Sequence, residues 1–176
     1  MNSFTLKIWD DEGKKVTFYS VWKEDAALAE TDKFLNKYEH DDIYAEELDQ
    51  LVQLVLVTIG DEYGALSSFF NRVKNDIVGL PHKGKLKIED LSFHFPDFPF
   101  RLYALRVLNR EDLVILFNGG LKTARTDQLS PDLEMKFHEA QHFASRIEQA
   151  LREGDIIIDE EKRRLTDQDG NLEIYL

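Results

Sequence analysis

Apolar and polar positions alternate through the first stretch of the chain. Phe4, Leu6 and Ile8 are interleaved with Thr5 and Lys7, and residues 16–22 resume the alternation with side chains that favour strands. Asp10-Asp11-Glu12-Gly13 between them supplies turn chemistry, so the pattern predicts a β-hairpin. The period then lengthens. Over about 25–39, Leu28, Leu35 and Tyr38 share one side of a predicted helix. Asp41 and Asp42 provide a cap for a second helix, from Ile43 to about Asp61. Its stripe of Tyr44, Leu48, Leu51, Val52, Val55, Leu56 and Ile59 has the spacing of a buried face. Two helices joined by a short acidic turn predict an antiparallel helical hairpin.

The pattern is less regular over 60–99, where Phe69, Phe70, Phe93, Phe95, Phe98 and Phe100 supply bulk. Gly79-Leu80-Pro81 and the stretch 96–99 interrupt it. Residues 101–108 then alternate, 109–112 turn, and 113–117 are continuously apolar, as in a strand covered on both faces. Asn118-Gly119-Gly120 ends or bulges that strand. Leu133, Phe137, Ala140, Ala144, Ile147 and Leu151 keep helical spacing over about 131–153. In the tail, residues 156–158 and then Leu172, Ile174 and Leu176 read as a second hairpin about Asp169-Gly170. The expectation is an α+β fold with a mainly antiparallel sheet, a helical hairpin on one face and a C-terminal helix packed nearby. With no repeat and no linker, residues 1–176 read as a single domain.

Composition narrows the function classes. The chain has 176 residues, 43% of them hydrophobic, which is enough to bury a core. No apolar run has membrane-helix length and the first residues lack a signal-peptide core, so the expectation is a soluble, cytoplasmic protein with no membrane partner. The absence of cysteine removes disulfides, thiolate metal sites and a cysteine nucleophile. A net charge of −12 repels nucleic acid at long range, so binding to it requires a local basic patch. Residues 81–125 supply one, with eight basic residues against five acidic ones.

Two chemistries compete for attention. His138-Glu139-Ala140-Gln141-His142 matches H-E-x-x-H inside a predicted helix, where two imidazoles four residues apart can share one zinc ion. Ser145 and Glu148 stand where an extended zinc motif would have glycine and histidine, which leaves Glu160 or Glu161 as a distant third ligand. The bland alternative is a solvated helix face. Asp167-Gln168-Asp169-Gly170-Asn171 reads as a hairpin turn rather than a calcium loop, because the closing glutamate is missing. The second chemistry is the basic segment itself, built from Lys83, Lys85, Lys87, Arg101, Arg106, Arg110, Lys122 and Arg125.

The order of elements around that segment carries a resemblance. A strand at 16–22, a helical hairpin, Lys83-Gly84-Lys85-Leu86-Lys87, the paired strands Arg101-Leu-Tyr-Ala-Leu-Arg106 and Leu113-Val-Ile-Leu-Phe117, then Gly120-Leu-Lys122-Thr-Ala and a helix follow in sequence. This resembles the RelE/HigB-like toxins of bacterial toxin–antitoxin pairs, most closely the RelE-like proteins of Bacteroidetes-type bacteria. The likeness is greatest over 101–151 and looser back to 16. It implies a RelE-like core over about 16–153, with an added N-terminal strand (3–10) and C-terminal hairpin (154–176). It also implies metal-free, cofactor-independent endoribonuclease cleavage of messenger RNA on the ribosome, with an antitoxin protein as partner.

In that mechanism the RNA 2′-hydroxyl attacks the adjacent phosphate while cations hold the developing charge. The resemblance points to Arg106 and Lys122 first, then Arg101, Lys85 and Lys87, as catalytic residues, with Lys83 and Arg125 as RNA contacts. Alternation puts Arg106 on the side of Leu102 and Ala104, and Arg101 on the side of Tyr103. The family's C-terminal acid/base residue has no clear counterpart. The alternatives are a zinc-dependent hydrolase using His138 and His142, and a non-catalytic protein-interaction module on a toxin-like fold.

Overall fold

A computed structural model describes residues 3–123 and 130–176. The first two strands, β1 (Phe4–Asp10) and β2 (Thr17–Lys23), form the expected antiparallel hairpin. Helices α1 (Glu30–Tyr38) and α2 (Ala45–Gln53) follow, and the chain winds on from α2 as a π-helical segment, Leu54–Tyr63. Four short strands come next: β3 (Asn71–Lys74), β4 (Ile77–Leu80), β5 (Lys85–Ile88) and β6 (Leu91–His94). Then come the long central strands β7 (Phe100–Arg106) and β8 (Leu113–Leu121), and helix α3 (Pro131–Glu153). Strands β9 (Ile157–Asp159), β10 (Arg164–Thr166) and β11 (Ile174–Tyr175) complete the order.

Among the described residues, seven strands form the main sheet, in the order β11-β1-β2-β8-β7-β4-β3. Every pairing in it is antiparallel except β2–β8, which is parallel. The fold is therefore α+β with a mainly antiparallel sheet. Its two faces are covered by different helices. Tyr103, Leu105, Leu113, Ile115 and Phe117 pack with Leu133, Phe137, Ala140 and Ile147 of α3. Leu102, Ala104, Val114 and Leu116 pack on the other face with Phe34 and Tyr38 of α1 and Leu48 and Leu51 of α2. Because both faces are dry, residues 113–117 are all buried, as the continuous apolar run requires. No helix among the described residues is long and apolar enough to cross a membrane.

Local chemistry explains where the elements depart from the expected bounds. Helix α1 begins at Glu30 rather than near 25, because Asp25 takes a left-handed φ of 59° and Ala26 N–H bonds back to Lys23. Its buried side is Phe34 and Tyr38, while Leu28 is exposed. Asp41 Oδ1 accepts the Ile43 N–H at 3.0 Å, so the capping turn forms, but regular α-helix starts at Ala45. The π-helical segment presents the Gly60 carbonyl to the β1–β2 loop, where Lys15 and Val16 N–H donate at 2.8 and 3.1 Å. Asn118-Gly119-Gly120 bulges β8 without ending it. Leu102 pairs with Gly119 and Ala104 with Leu116, and a Cβ on Gly119 would lie 2.3 Å from the Arg101 carbonyl oxygen.

The expected tail hairpin is corrected. Residues 157–159 pair with 164–166, and Ile174-Tyr175 instead joins β1 at the sheet edge. Apolar burial decides it. Leu165 fills the site under β2, and buried Ile174 joins the α3 core alongside Phe4. Asp167 Oδ1 accepts N–H bonds from Asp169 and Asn171, so the turn forms between β10 and β11 without pairing those strands.

Candidate functional site: a cationic cavity beside the short hairpin

Strands β5 and β6 form a two-stranded ribbon separate from the main sheet, with Lys85 opposite His94 and Lys87 opposite Ser92. Alternation turns Leu86, Ile88 and Phe93 toward the α1–α2 core and leaves Lys85 and Lys87 exposed on the outside. Phe93 anchors the ribbon edge-on against Phe69 and Tyr63, with ring centroids 5.5 and 6.1 Å away. At the ribbon's base, the segments that enter and leave it meet the start of β7 and the end of β8. They enclose a cavity of about 630 Å³.

Arg101, Lys83, His82 and Lys122 line this cavity, with Asp97 as the carboxylate among the described lining residues. Arg101 starts β7 and is 3% exposed. Its side chain crosses β4 over Gly79, where an added Cβ would lie 2.5 Å from Arg101 Cδ, so only glycine leaves the passage open. At the far side Arg101 Nη1 donates to the Pro81 carbonyl at 2.8 Å. That carbonyl also accepts from Asn71 Nδ2 at 3.3 Å, and Asn71 Oδ1 accepts the Lys83 N–H at 3.1 Å. Asn71 thus ties the basic loop to the sheet. Lys122 follows β8, and its N–H donates to the Pro99 carbonyl at 2.7 Å, closing the opposite wall.

The remaining wall is aromatic. Phe95, Phe98 and Phe100 line the cavity, and successive rings meet near edge-on at 5.5 and 6.2 Å. Phe100 is 1% exposed and packs on Phe34, Tyr38 and Tyr44, so this wall is rooted in α1 and the start of α2. A pocket with guanidinium and ammonium groups beside flat apolar rings suits an anion attached to an aromatic or other flat group.

The basic residues named from sequence divide accordingly. Arg101, Lys122 and Lys83 come together at the cavity. Lys85 and Lys87 project from the ribbon beside it. Arg125 lies outside the described residues. Arg106 is at the other end of β7, where Nε donates to the Ala65 carbonyl at 2.9 Å and Nη2 to the Asn109 carbonyl at 3.1 Å. Its guanidinium lies 5.9 Å from the Phe70 ring centre, and burial pulls it below the usual arginine range. Arg106 therefore ties the loops at Ala65 and Asn109 to the end of β7 and does not line the cavity. His82 and Asn71 were missed. Neither carries a motif, and only the folding of β3 and β4 into the sheet brings them to Arg101.

The H-E-x-x-H residues sit on α3 as predicted, and their side chains diverge. His138 is exposed, with Nε2 3.8 Å from Glu134 on its own helix. Glu139 turns the other way and forms an ion pair with Lys23 of β2. Glu160 is engaged by Arg110 at 3.1 Å. Among the described residues no group of three His, Asp or Glu side chains is placed to hold a metal ion, so the donors do not fit a zinc centre. His142 lines a separate cleft of about 400 Å³ with Asp76, Glu148 and Arg152. There, burial and the neighbouring Asp76 carboxyl push Glu148 up to about 7.

Compared with known proteins, the chain matches no family model, no curated protein and no solved structure.

Proposed function

We propose that this protein is a RelE/HigB-like toxin homologue, a metal-free endoribonuclease of translated messenger RNA held in check by an antitoxin. The observation that carries the reading is the convergence of Arg101, Lys83 and Lys122 on one aromatic-walled cavity in a chain of net charge −12. In a chain with 34 acidic residues against 22 basic ones, three basic side chains lining one cavity favour an anionic ligand there. The element order that prompted the resemblance supports it further: β2, the helices α1 and α2, the antiparallel set β4-β7-β8, then α3.

In this reading the cavity receives the scissile phosphate. Arg101, its fork held by the Pro81 carbonyl, and Lys122 across the cavity stabilise the charge that grows on the non-bridging oxygens. Lys83 contacts an adjoining phosphate, with Lys85 and Lys87 on the outer ribbon extending the track. The substrate's 2′-hydroxyl gives its proton to solvent as its oxygen attacks phosphorus, and the bond to the 5′-oxygen breaks as that oxygen takes a proton from solvent, giving a 2′,3′-cyclic phosphate and a 5′-hydroxyl end. The phenylalanine wall supplies a stacking surface for the adjacent base.

The test is a cell-free bacterial translation reaction with primer extension on the messages. Breaks confined to translated messages, abolished by Lys83→Ala with Lys122→Ala, are the expected result. Each substitution alters an exposed or half-exposed side chain, so the double variant should fold. Intact messages and undiminished translation with folded protein would overturn cleavage and favour a non-catalytic binding module. Full cleavage by the double variant would overturn the site.

A further inference from the structure

Three side chains stand in a row across the outer end of the main sheet. Thr5 of β1 pairs with Trp22 of β2 on one side and with Tyr175 of β11 on the other. Residues in register on neighbouring strands point to the same face. Phe4 and Leu6 turn the opposite way, into the α3 core, so the row lies on the face turned away from α3. Thr5, the smallest of the three, sets the two aromatic side chains apart on the wall of a cavity of about 430 Å³. No helix residue lines this cavity among those described, and Tyr175 is 74% exposed.

The cavity is furnished with a cation of its own. Lys7 Nζ lies 4.5 Å from the centre of the Trp22 ring and 3.9 Å from Glu173 Oε1. Glu173 Oε2 accepts the Tyr175 hydroxyl at 3.2 Å, so one carboxylate faces both the ammonium and the second aromatic. Glu24 and Asp25 add two exposed carboxylates. Lys23, the other lining cation, is already paired outside the cavity, with Glu30 at 3.6 Å and with Glu139. Among the described lining residues, three carboxylates therefore face the single ammonium of Lys7. Aromatic faces backed by carboxylates favour a cation. A guanidinium suits them better than an ammonium, because its plane stacks on a ring while its edge donates to a carboxylate. The same charges disfavour a polyanion.

We propose that this cavity docks an arginine side chain of a basic protein partner, whose guanidinium takes the place over Trp22 that Lys7 holds and pairs with Glu173. Lys7 is then a built-in competitor, which swings out to solvent when the partner arrives. The site shares no lining residue with the cationic cavity, and it stands whether or not the protein cleaves RNA.

The probe is the capped tripeptide acetyl-Gly-Arg-Gly-amide, with acetyl-Gly-Lys-Gly-amide as its comparator. Each is titrated into the full chain at low ionic strength and followed by NMR. The indole N–H signal of Trp22 should shift and saturate with the arginine peptide. That of Trp9, whose Nε1 donates to Asp32 at 2.8 Å, should stay in place. The lysine peptide should bind about two- to fivefold more weakly, the range for one exposed cation–π contact. Tyr175→Ala and Glu173→Gln should each weaken the arginine peptide by a similar factor. Both positions are exposed, so these variants should fold. Lys7→Ala should bind the arginine peptide more tightly than the wild-type protein does.

An unmoved Trp22 signal, or a lysine peptide that binds as well as the arginine one, would overturn the proposal and leave general attraction to a chain of net charge −12. Wild-type affinity in both Tyr175→Ala and Glu173→Gln would do the same. Weaker binding by Lys7→Ala would show that Lys7 does not hold the guanidinium's place, which the proposal requires. Saturation of the Trp22 signal by tetrauridylate and not by the arginine peptide would replace arginine docking with base stacking on the same aromatic pair.

Discussion

Glu148 shows how one residue's surroundings become a property of the whole chain. Its carboxyl stands on α3 against Asp76 in the turn between β3 and β4, and burial together with that neighbour pushes it up to about 7. The two carboxyls share a proton, so the shift belongs to the pair. A glutamate raised in this way binds its proton in the folded state at pH values where the unfolded chain has released it. Its contribution is therefore full below the ordinary glutamate range and is lost as pH rises through about 7. Urea unfolding from about pH 5 to about pH 8 should show stability falling with pH in the wild-type protein. Glu148→Gln, which keeps the hydrogen bond without the charge, should flatten that fall and be the more stable form at the upper end. A variant with the wild-type slope would show that this pair does not control it.

At the level of elements, the same physics settles whether a segment finds a sheet or stays outside it. The π-helical segment is held by buried Leu54, Val55 and Ile59, and β4 by buried Ile77 and Leu80 and its pairing with β3 and β7, whereas β11 has a single buried side chain. For β11 that anchor is Ile174, 2% exposed among Phe4, Phe143 and Ile156 in the α3 core. The strand pairs with β1 over only two residues, plus the reciprocal bonds between Phe4 and Leu176 at 2.9 and 3.0 Å. So short a ladder needs the side chain. Ile174→Ala should cost about 2–4 kcal/mol in equilibrium urea unfolding, the range for removing a buried isoleucine from a packed site. It should also speed amide exchange at Phe4 and Leu6. A loss below about 0.5 kcal/mol, typical of surface positions, would mean that β11 is not packed as described. Beside it, Tyr175 is 74% exposed, so Tyr175→Ala is the matched substitution expected to change little.

For the whole molecule, the distribution of charge matters more than its sum. An overall charge of −12 discourages nucleic acid from adhering elsewhere, while the cavity and the outer face of the ribbon concentrate lysine and arginine at one corner. Binding of a short single-stranded RNA should therefore depend on salt, with a slope of log affinity against log salt near −2 if three phosphates are neutralised. Fluorescence anisotropy over a salt series measures it. Lys122→Ala should reduce the magnitude of the slope by about 0.7, one phosphate's share on a single strand. Arg106→Ala, remote from the cavity, should leave it unchanged. A slope near zero would exclude phosphate contacts as the basis of binding.

Hydrophobic pattern alone determined the α+β class, the β1–β2 hairpin, the β7–β8 pair and the bounds of α3, because each is a local period that burial on one or both faces imposes. The left-handed Gly154 after α3 and the apolar run of β8 carry their structural meaning within a few residues. The basic stretch likewise picked out the segment whose Lys83, Arg101 and Lys122 line one cavity. Only the tertiary structure decided which basic residues meet. Alternation correctly separated Arg101 from Arg106, but it gave no reason to set Arg106 aside. That reason is its bonding to the Ala65 and Asn109 carbonyls, groups that fold back from distant and neighbouring turns. Gly79 and Asn71 gain their roles because β3 and β4 join the sheet beside β7, a long-range pairing with no signature in short segments. The same holds for the tail, where Ile174 leaves the expected hairpin for the edge of β1. Burial of a side chain in a distant core outweighed the local pairing that a turn sequence favours.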